Sequence, residues 1–280
     1  MRELDVKVIE TKIKELAIEA NYYLPRDVKD RIEVLKSEES YPLAKDILEK
    51  IEENYKVAEI ENKPLCQDTG MACVFIEVGQ DVHLVGGSLE ESINNGVRDA
   101  YEQGYLRKSV VSDPIKRINS NNNLPAIINY KIVKGKKVKI IFSPKGFGSE
   151  NMSAIKMLKP SEGIEGVKNF IIDTVVKAGG NPCPPIVVGV GIGGNFDKVA
   201  SLAKIALIRD LDKRNDDKFY RDLEEELLEK INSLGIGPQG FGGRTTALAV
   251  NIEVFPTHIA GLPVAVNINC HSTRHKEVII

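Results

Sequence analysis

The sequence predicts a mixed α/β fold: a helical N-terminal region followed by mixed sheets with helices. Three observations lead there. Residues 1–60 space their apolar side chains as one face of a helix does. Beyond them, short apolar runs bounded by Gly, Pro, Asn and Asp read as strands. Helical stretches alternate with those runs.

Taken in order, residues 6–20 carry Ile9, Ile13, Leu16 and Ala17 at helical spacing, with charges between them. Pro25 opens a second helix to residue 35, and Pro42 a third to residue 55, because proline suits a first helical turn. Residues 61–70 form a loop, which runs into an apolar strand at 71–78. Ser88 caps a helix, with Glu91 as its capping-box partner, and that helix ends at Gly104. Residues 126–133 and 137–143 read as a hairpin turning at Gly135. A second loop spans 143–151, and a helix over 161–177 stops at Gly179 and Gly180. Residues 186–190 form a strand, 196–210 and 218–234 helices, and 245–254 and 263–269 strands. No repeat or linker interrupts the chain, so residues 1–280 are expected to form one domain: 1–60 helical, 61–280 carrying the site.

The chain holds 40 acidic and 38 basic side chains, a net charge of −2, which excludes an electrostatic pull toward nucleic acid or an anionic membrane. The N-terminus is charged from Arg2 onward and lacks an apolar leader. No apolar run is long enough to span a bilayer. A soluble cytoplasmic protein is expected.

Of four cysteines, three sit in loops made of turn residues: Cys66 before Gln67 and Asp68, Cys183 among Pro182, Pro184 and Pro185, and Cys270 before His271. They are too far apart for a zinc finger, whose ligands come in close pairs. The spacing suits a site where distant loops converge. Three thiolates are one fewer than fully ligate a cubane iron–sulfur cluster. The iron left open would be a Lewis acid, able to polarise a hydroxyl or water. The prolines around Cys183 fix φ and stiffen its loop. Read alone, the same cysteines could be buried thiols of a binding or scaffold protein.

The motifs "PLCQDTG", "KGFGSENMS", "GGNPCPPIVVGVGIGG", "GFGGRTTALAV" and "HIAGLPVAVNINCHSTRH" resemble the class I, iron–sulfur fumarate hydratases and the related L-tartrate dehydratase alpha subunits. The likeness runs from about residue 63 to residue 275, with the motifs in the family's order. It implies an oxygen-sensitive 4Fe-4S cluster on Cys66, Cys183 and Cys270; Cys73 has no counterpart in the family's motifs, and its strand setting makes it a core residue. It implies reversible hydration of fumarate to (S)-malate, a step of the tricarboxylic acid cycle, or alternatively dehydration of L-tartrate. Substrate contacts implied by motif are Gln67, Asp68, Arg107, Gly148 and His258, with Asp68 and His258 closest to the chemistry.

The chemistry of these residue types agrees. Arginine presents two parallel donors to a carboxylate. An aspartate can accept a hydroxyl proton, and histidine changes charge near neutral pH. Glycine permits close backbone approach. Arg98 and Arg117 compete with Arg107 for the clamp, and Asp68 could simply make an Asx turn. Arg274, His271 and His275 could tune the cluster from behind its ligands. Single-chain relatives continue into a second domain. This chain stops at Ile280, so the resemblance implies a separate beta subunit, a heterotetramer and little activity for this chain alone.

One motif competes. Residues 189–194 satisfy G-x-G-x-x-G after a strand and before a helix, as in a nucleotide-dependent oxidoreductase. Its position deep in the chain, directly after the Cys183 prolines, argues against that reading. The glycines are expected instead to let a helix N-terminus approach the cluster or a substrate carboxylate.

Overall fold

The computed structural model describes residues 1–280. Its strands are β1 (Arg2–Asp5), β2 (Met71–Gly79), β3 (Val82–Val85), β4 (Ile127–Val133), β5 (Val138–Lys145), β6 (Ala154–Leu158), β7 (Ile186–Gly193), β8 (Ala247–Phe255), β9 (Leu262–Asn269) and β10 (Lys276–Ile279). Its helices are α1 (Val6–Tyr22), α2 (Arg26–Glu38), α3 (Pro42–Glu61), α4 (Leu89–Gln103), α5 (Phe147–Glu150), α6 (Gly163–Ala178), α7 (Phe196–Ala206) and α8 (Lys218–Asn232). The fold is α/β, as the sequence predicts. No helix is long and apolar enough to cross a membrane.

The chain divides into two compact units. One comprises Met1–Leu24, Tyr55–Phe147 and Arg274–Ile280; the other comprises Pro25–Asn54 and Gly148–Thr273. The N-terminal helices are shared between them, with α1 in the first and α2 in the second.

In the first unit a four-stranded sheet runs β10-β5-β2-β4. β2 is central because it is apolar on both faces and nearly all buried. α1 buries Ile9, Ile13 and Leu16 under this sheet, and Asp5 caps it by accepting from the Lys7 amide at 2.8 Å. α4 lies against α1, and Gly96 permits the approach: a Cβ there would fall 2.5 Å from the Glu10 carbonyl oxygen. Ser88 caps α4 through the Glu91 amide, as the sequence predicts.

Here the structure corrects the expected hairpin. β4 and β5 do not pair with each other. β4 pairs parallel to β2 and β5 antiparallel to it, so β2 lies between them. The physical reason is burial. β4 is half exposed and takes an edge, while β2 has two apolar faces to cover. Residues 134–137 cross the end of β2 instead of turning tightly, and Gly79, Gln80 and Asp81 donate to the carbonyls of Lys137, Val133 and Gly135.

The second unit's sheet runs β6-β9-β7-β8. β7 is central, parallel to β8 and antiparallel to β9. Its core gathers Ile171 and Val175 of α6, Leu227 and Ile231 of α8, and Val188, Val250 and Ile268 of the sheet. The glycines of residues 189–194 do not form a phosphate loop. Gly189, Gly191 and Gly193 lie within β7. A Cβ on Gly191 would sit 2.2 Å from the Val199 carbonyl oxygen, and one on Gly189 2.4 Å from that of Ala203. They let the body of α7 lie directly on the strand.

The two sheets share one topology, a repeat that the sequence does not display. In each, a central strand (β2, β7) follows a cysteine loop and leads through helix to a parallel edge strand (β4, β8). The chain returns on the other side as an antiparallel strand (β5, β9). The fourth strand is exchanged. β6 follows β5 in sequence but pairs with β9, and β10 follows β9 but pairs with β5. Strands β1, β3, β6 and β10 escape the sequence reading because each is only four or five residues long.

Candidate active site

In the first unit the expected residues gather around residues 65–70. Cys66 is half-buried and in no disulfide, and its Sγ lies 3.5 Å from Gln67 Oε1. The Asp68 carboxylate is held at both oxygens: Oδ1 accepts from the Gly70 amide and Oδ2 from the Phe147 amide, each at 3.0 Å. The first bond is the Asx turn expected from the sequence; the second ties Asp68 to the "KGFGSENMS" loop. Gly146 allows this, since a Cβ there would lie 3.2 Å from Asp68 Oδ2.

Arg107 is fixed to the same loop by a buried side chain. The Thr69 hydroxyl accepts from the Arg107 amide at 2.8 Å and donates to its carbonyl at 3.2 Å. The guanidinium itself is exposed. Arg98 is engaged by Asp99 and Asn95, and Arg117 sits at an exposed turn with φ of 60°. Of the three arginines, only the backbone of Arg107 is bonded to Thr69, the residue after Asp68.

The floor of this loop is polar, buried and satisfied. The Tyr101 hydroxyl points at the carbonyls of Thr69 and Gly70, at 2.7 and 2.9 Å. Burial pushes its pKa well above the ordinary value, so it remains a donor. Asn123 donates to the Gly70 carbonyl at 3.2 Å. Gly70 takes φ of 73° and runs so close to β5 that a Cβ would meet the Lys145 backbone at 2.7 Å.

The second unit brings Cys183 and Cys270 to one end of its sheet, just ahead of β7 and just after β9. The His271 amide donates to the Cys183 carbonyl at 3.2 Å, and His271 Nδ1 lies 3.1 Å from the same oxygen. Cys183 is exposed and holds φ of 56°, unusual for a residue with a side chain. Gln239 secures the next residue, donating to the Pro184 carbonyl from its amide at 2.9 Å and from Nε2 at 2.8 Å. The prolines are thus only part of what fixes this loop.

Gly148 is the second residue of α5, and a Cβ there would meet only the Asn181 carbonyl oxygen, at 3.8 Å. Its helix is anchored by Glu150, which takes Lys204 at 2.5 Å and Asn267 at 2.7 Å. His258 is elsewhere. It lies on the β8–β9 turn beside Gly194, Lys198 and Phe255, at the opposite end of β9 from Cys270. Eight strand residues separate those ends, roughly 25 Å at the rise of an extended chain.

The donor set suits an iron–sulfur group in kind: three thiols on polar, backbone-fixed loops, none in a disulfide, while Cys73 is buried in β2. Neither unit alone gathers three His, Cys, Asp or Glu side chains into a metal-binding group; the second offers two loop thiols and the first one. Thr69 and Gln239 are not singled out by the sequence, whereas Arg274 is, as a residue behind the cluster ligands. Their signal is structural: polar side chains held at loop carbonyls.

Comparison with known proteins gives this arrangement a family. Residues 10–279 match the family model described as fumarate hydratase (fumerase). The chain is 48% identical over 268 residues to a protein of Methanocaldococcus jannaschii named "putative L(+)-tartrate dehydratase subunit alpha", covering 94% of each. It is 31% identical over 261 residues to the L(+)-tartrate dehydratase subunit alpha of Escherichia coli K12, covering 92% of this chain and 86% of that one. The chain therefore belongs to the fumarate hydratase family of hydro-lyases.

Proposed function

We propose that this chain is the cluster-binding alpha subunit of a cytoplasmic hydro-lyase that interconverts fumarate and (S)-malate, completed by a separate beta subunit in a heterotetramer. The observation that carries the reading is the joining of Cys66, Gln67, Asp68 and Arg107 by one hydrogen-bonded loop system. A thiol ligand, two polar groups and an arginine fork are what a dicarboxylate beside a cluster requires. Cys66, Cys183 and Cys270 hold a 4Fe-4S cluster, which when bound supplies an iron with an open position acting as Lewis acid.

Arg107, exposed on a fixed backbone, grips a substrate carboxylate with two parallel donors. Asp68, its carboxylate anchored by two amides, takes a proton from the attacking water in hydration and returns it to the departing hydroxyl in dehydration, while the carbon-bound proton is exchanged by a group on the partner subunit. Gln67 orients that hydroxyl. Gly148 leaves room for substrate against its backbone. His258 joins this site from a second copy of the chain, because its own copy holds it at the far end of the β7–β9 sheet from the cysteines. The L(+)-tartrate reading is favoured by the names of the relatives. It differs from the first by one hydroxyl on the substrate, so the same residues serve it.

Anaerobic reconstitution with iron and sulfide tests the proposal. About four irons per chain are expected, lost in Cys183→Ser. Turnover of fumarate, malate and L(+)-tartrate by the chain co-expressed with its partner then ranks the substrates. A colourless, folded protein that binds no iron overturns the reading.

A further inference from the structure

We infer that Asn21 and Arg274 form a buried staple that sets the position of Cys66, Gln67 and Asp68. The functional consequence rests on the reading above; the geometry does not. Asn21 is fully buried and Arg274 is 5% exposed. One guanidinium nitrogen of Arg274, Nη2, donates to the Asp68 carbonyl at 3.0 Å and to Asn21 Oδ1 at 3.2 Å. The Asn21 backbone carbonyl accepts from the Leu65 amide at 2.9 Å. Residues 65 and 68, the first and last positions of a four-residue arc, are therefore held at two points: Leu65 by the Asn21 main chain and Asp68 by the Arg274 guanidinium, and the Asn21 side chain joins the two.

The pair is itself fixed. Asn21 Nδ2 donates to the Ala17 carbonyl at 2.9 Å, locking the amide so that Oδ1 faces Arg274. The Arg274 carbonyl accepts from Ser143 Oγ at 3.3 Å, tying it to β5. Inside the arc are the thiol and the amide side chain; at its end is the carboxylate. Within the arc Gln67 is exposed, and the Cys66 thiol lies against the Gln67 side chain. Arginine suits the task because one nitrogen carries two hydrogens in a rigid plane and remains charged, so a buried carbonyl is never left without a donor. Asn21 and Arg274 are positioning residues; neither reaches substrate.

The test uses the full-length, cluster-free chain under anaerobic conditions. A pulse of iodoacetamide is followed by peptide mass spectrometry, which reads Cys66, Cys183 and Cys270 separately in one sample. Arg274→Met is expected to speed Cys66 alkylation about ten-fold through local opening of the arc, with the other two thiols within about two-fold of wild type. Arg274→Lys, which keeps the charge and one donor, falls between. Asn21→Ala repeats the Cys66 effect at smaller size, and serves if Arg274→Met does not fold. An unchanged Cys66 rate, or an equal rise at all three cysteines, overturns the staple. In the assembled enzyme, Arg274→Lys is expected to lower kcat while KM holds within about two-fold, since Thr69 anchors Arg107 independently. Selective Cys66 exposure with wild-type kcat would leave the staple standing and sink the assigned role of Asp68 and Gln67.

Discussion

One hydroxyl decides where Arg107 stands. Thr69 Oγ1 both accepts from and donates to the Arg107 main chain, so Thr69→Val leaves two backbone groups without their partner. The variant is expected to lose about 1–2 kcal/mol of stability, measured by urea unfolding. Its KM for the dicarboxylate is expected to rise about ten-fold with little change in kcat, because a misplaced clamp weakens binding of substrate and transition state alike. At the same scale Glu39 offers a pH test. Burial pushes its carboxyl up, but bonds from the Tyr41, Thr245 and Arg244 amides and the Thr245 hydroxyl outweigh this and hold it below the ordinary value. A depressed carboxylate contributes stability above its unfolded pKa and loses it as pH falls through the folded value. Glu39→Gln is therefore expected to cost about 2 kcal/mol at pH 7. Its deficit should narrow below about pH 4, as read from thermal midpoints across pH.

Among the elements, β7 and α7 show how far a motif can be read and where reading stops. The glycines of residues 189–194 announce a strand, a turn and a helix, and all three are present. Their spacing cannot tell whether they face a phosphate or a helix backbone, because either needs a missing Cβ. The structure answers with the Val199 carbonyl, 2.2 Å from where a Gly191 Cβ would lie. Gly191→Ala is expected to destabilise the protein by about 3 kcal/mol, with no gain or loss of NAD(H) binding by isothermal titration. The position of α1 is legible from its apolar stripe, that of α4 from its cap, and those of β2, β8 and β9 from continuous apolar runs. The β4–β5 pairing is not, since strand order depends on which strand has two faces to bury, and that is settled by the helices packed on it. Asp68 and Cys66 stand out in sequence by their loop chemistry. Their supports Tyr101 and Asn21 do not, and Arg274 does so only as a neighbour of Cys270, because a buried polar residue looks like any other until its carbonyl partner is known.

At the scale of the whole molecule, two sheets of one topology each set a cysteine loop before the central strand, Cys66 before β2 and Cys183 before β7. The loop after β9 carries Cys270, and the matching loop after β5 carries Gly146 and Gly148. The same two places in the pattern thus carry both the loop thiols and the proposed substrate contacts. The separation of His258 from Cys270 within one unit yields a test of assembly. Co-expressed His258→Ala and Cys270→Ser chains, each inactive alone, are expected to recover part of wild-type turnover, because a mixed pair contains one intact site. No recovery would overturn the contribution of His258 from a second copy of the chain.

The exchanged edge strands bear on how such a chain emerges from the ribosome. Three strands of the sheet that backs Cys66 are complete by residue 145, yet β5 finds its outer neighbour only when residues 276–279 have been translated. Until then a buried-type strand keeps an open row of amides and carbonyls, the kind of edge that recruits other chains. Ribosome stalling or a premature stop before β10 is thus expected to release aggregating protein, not a smaller soluble enzyme.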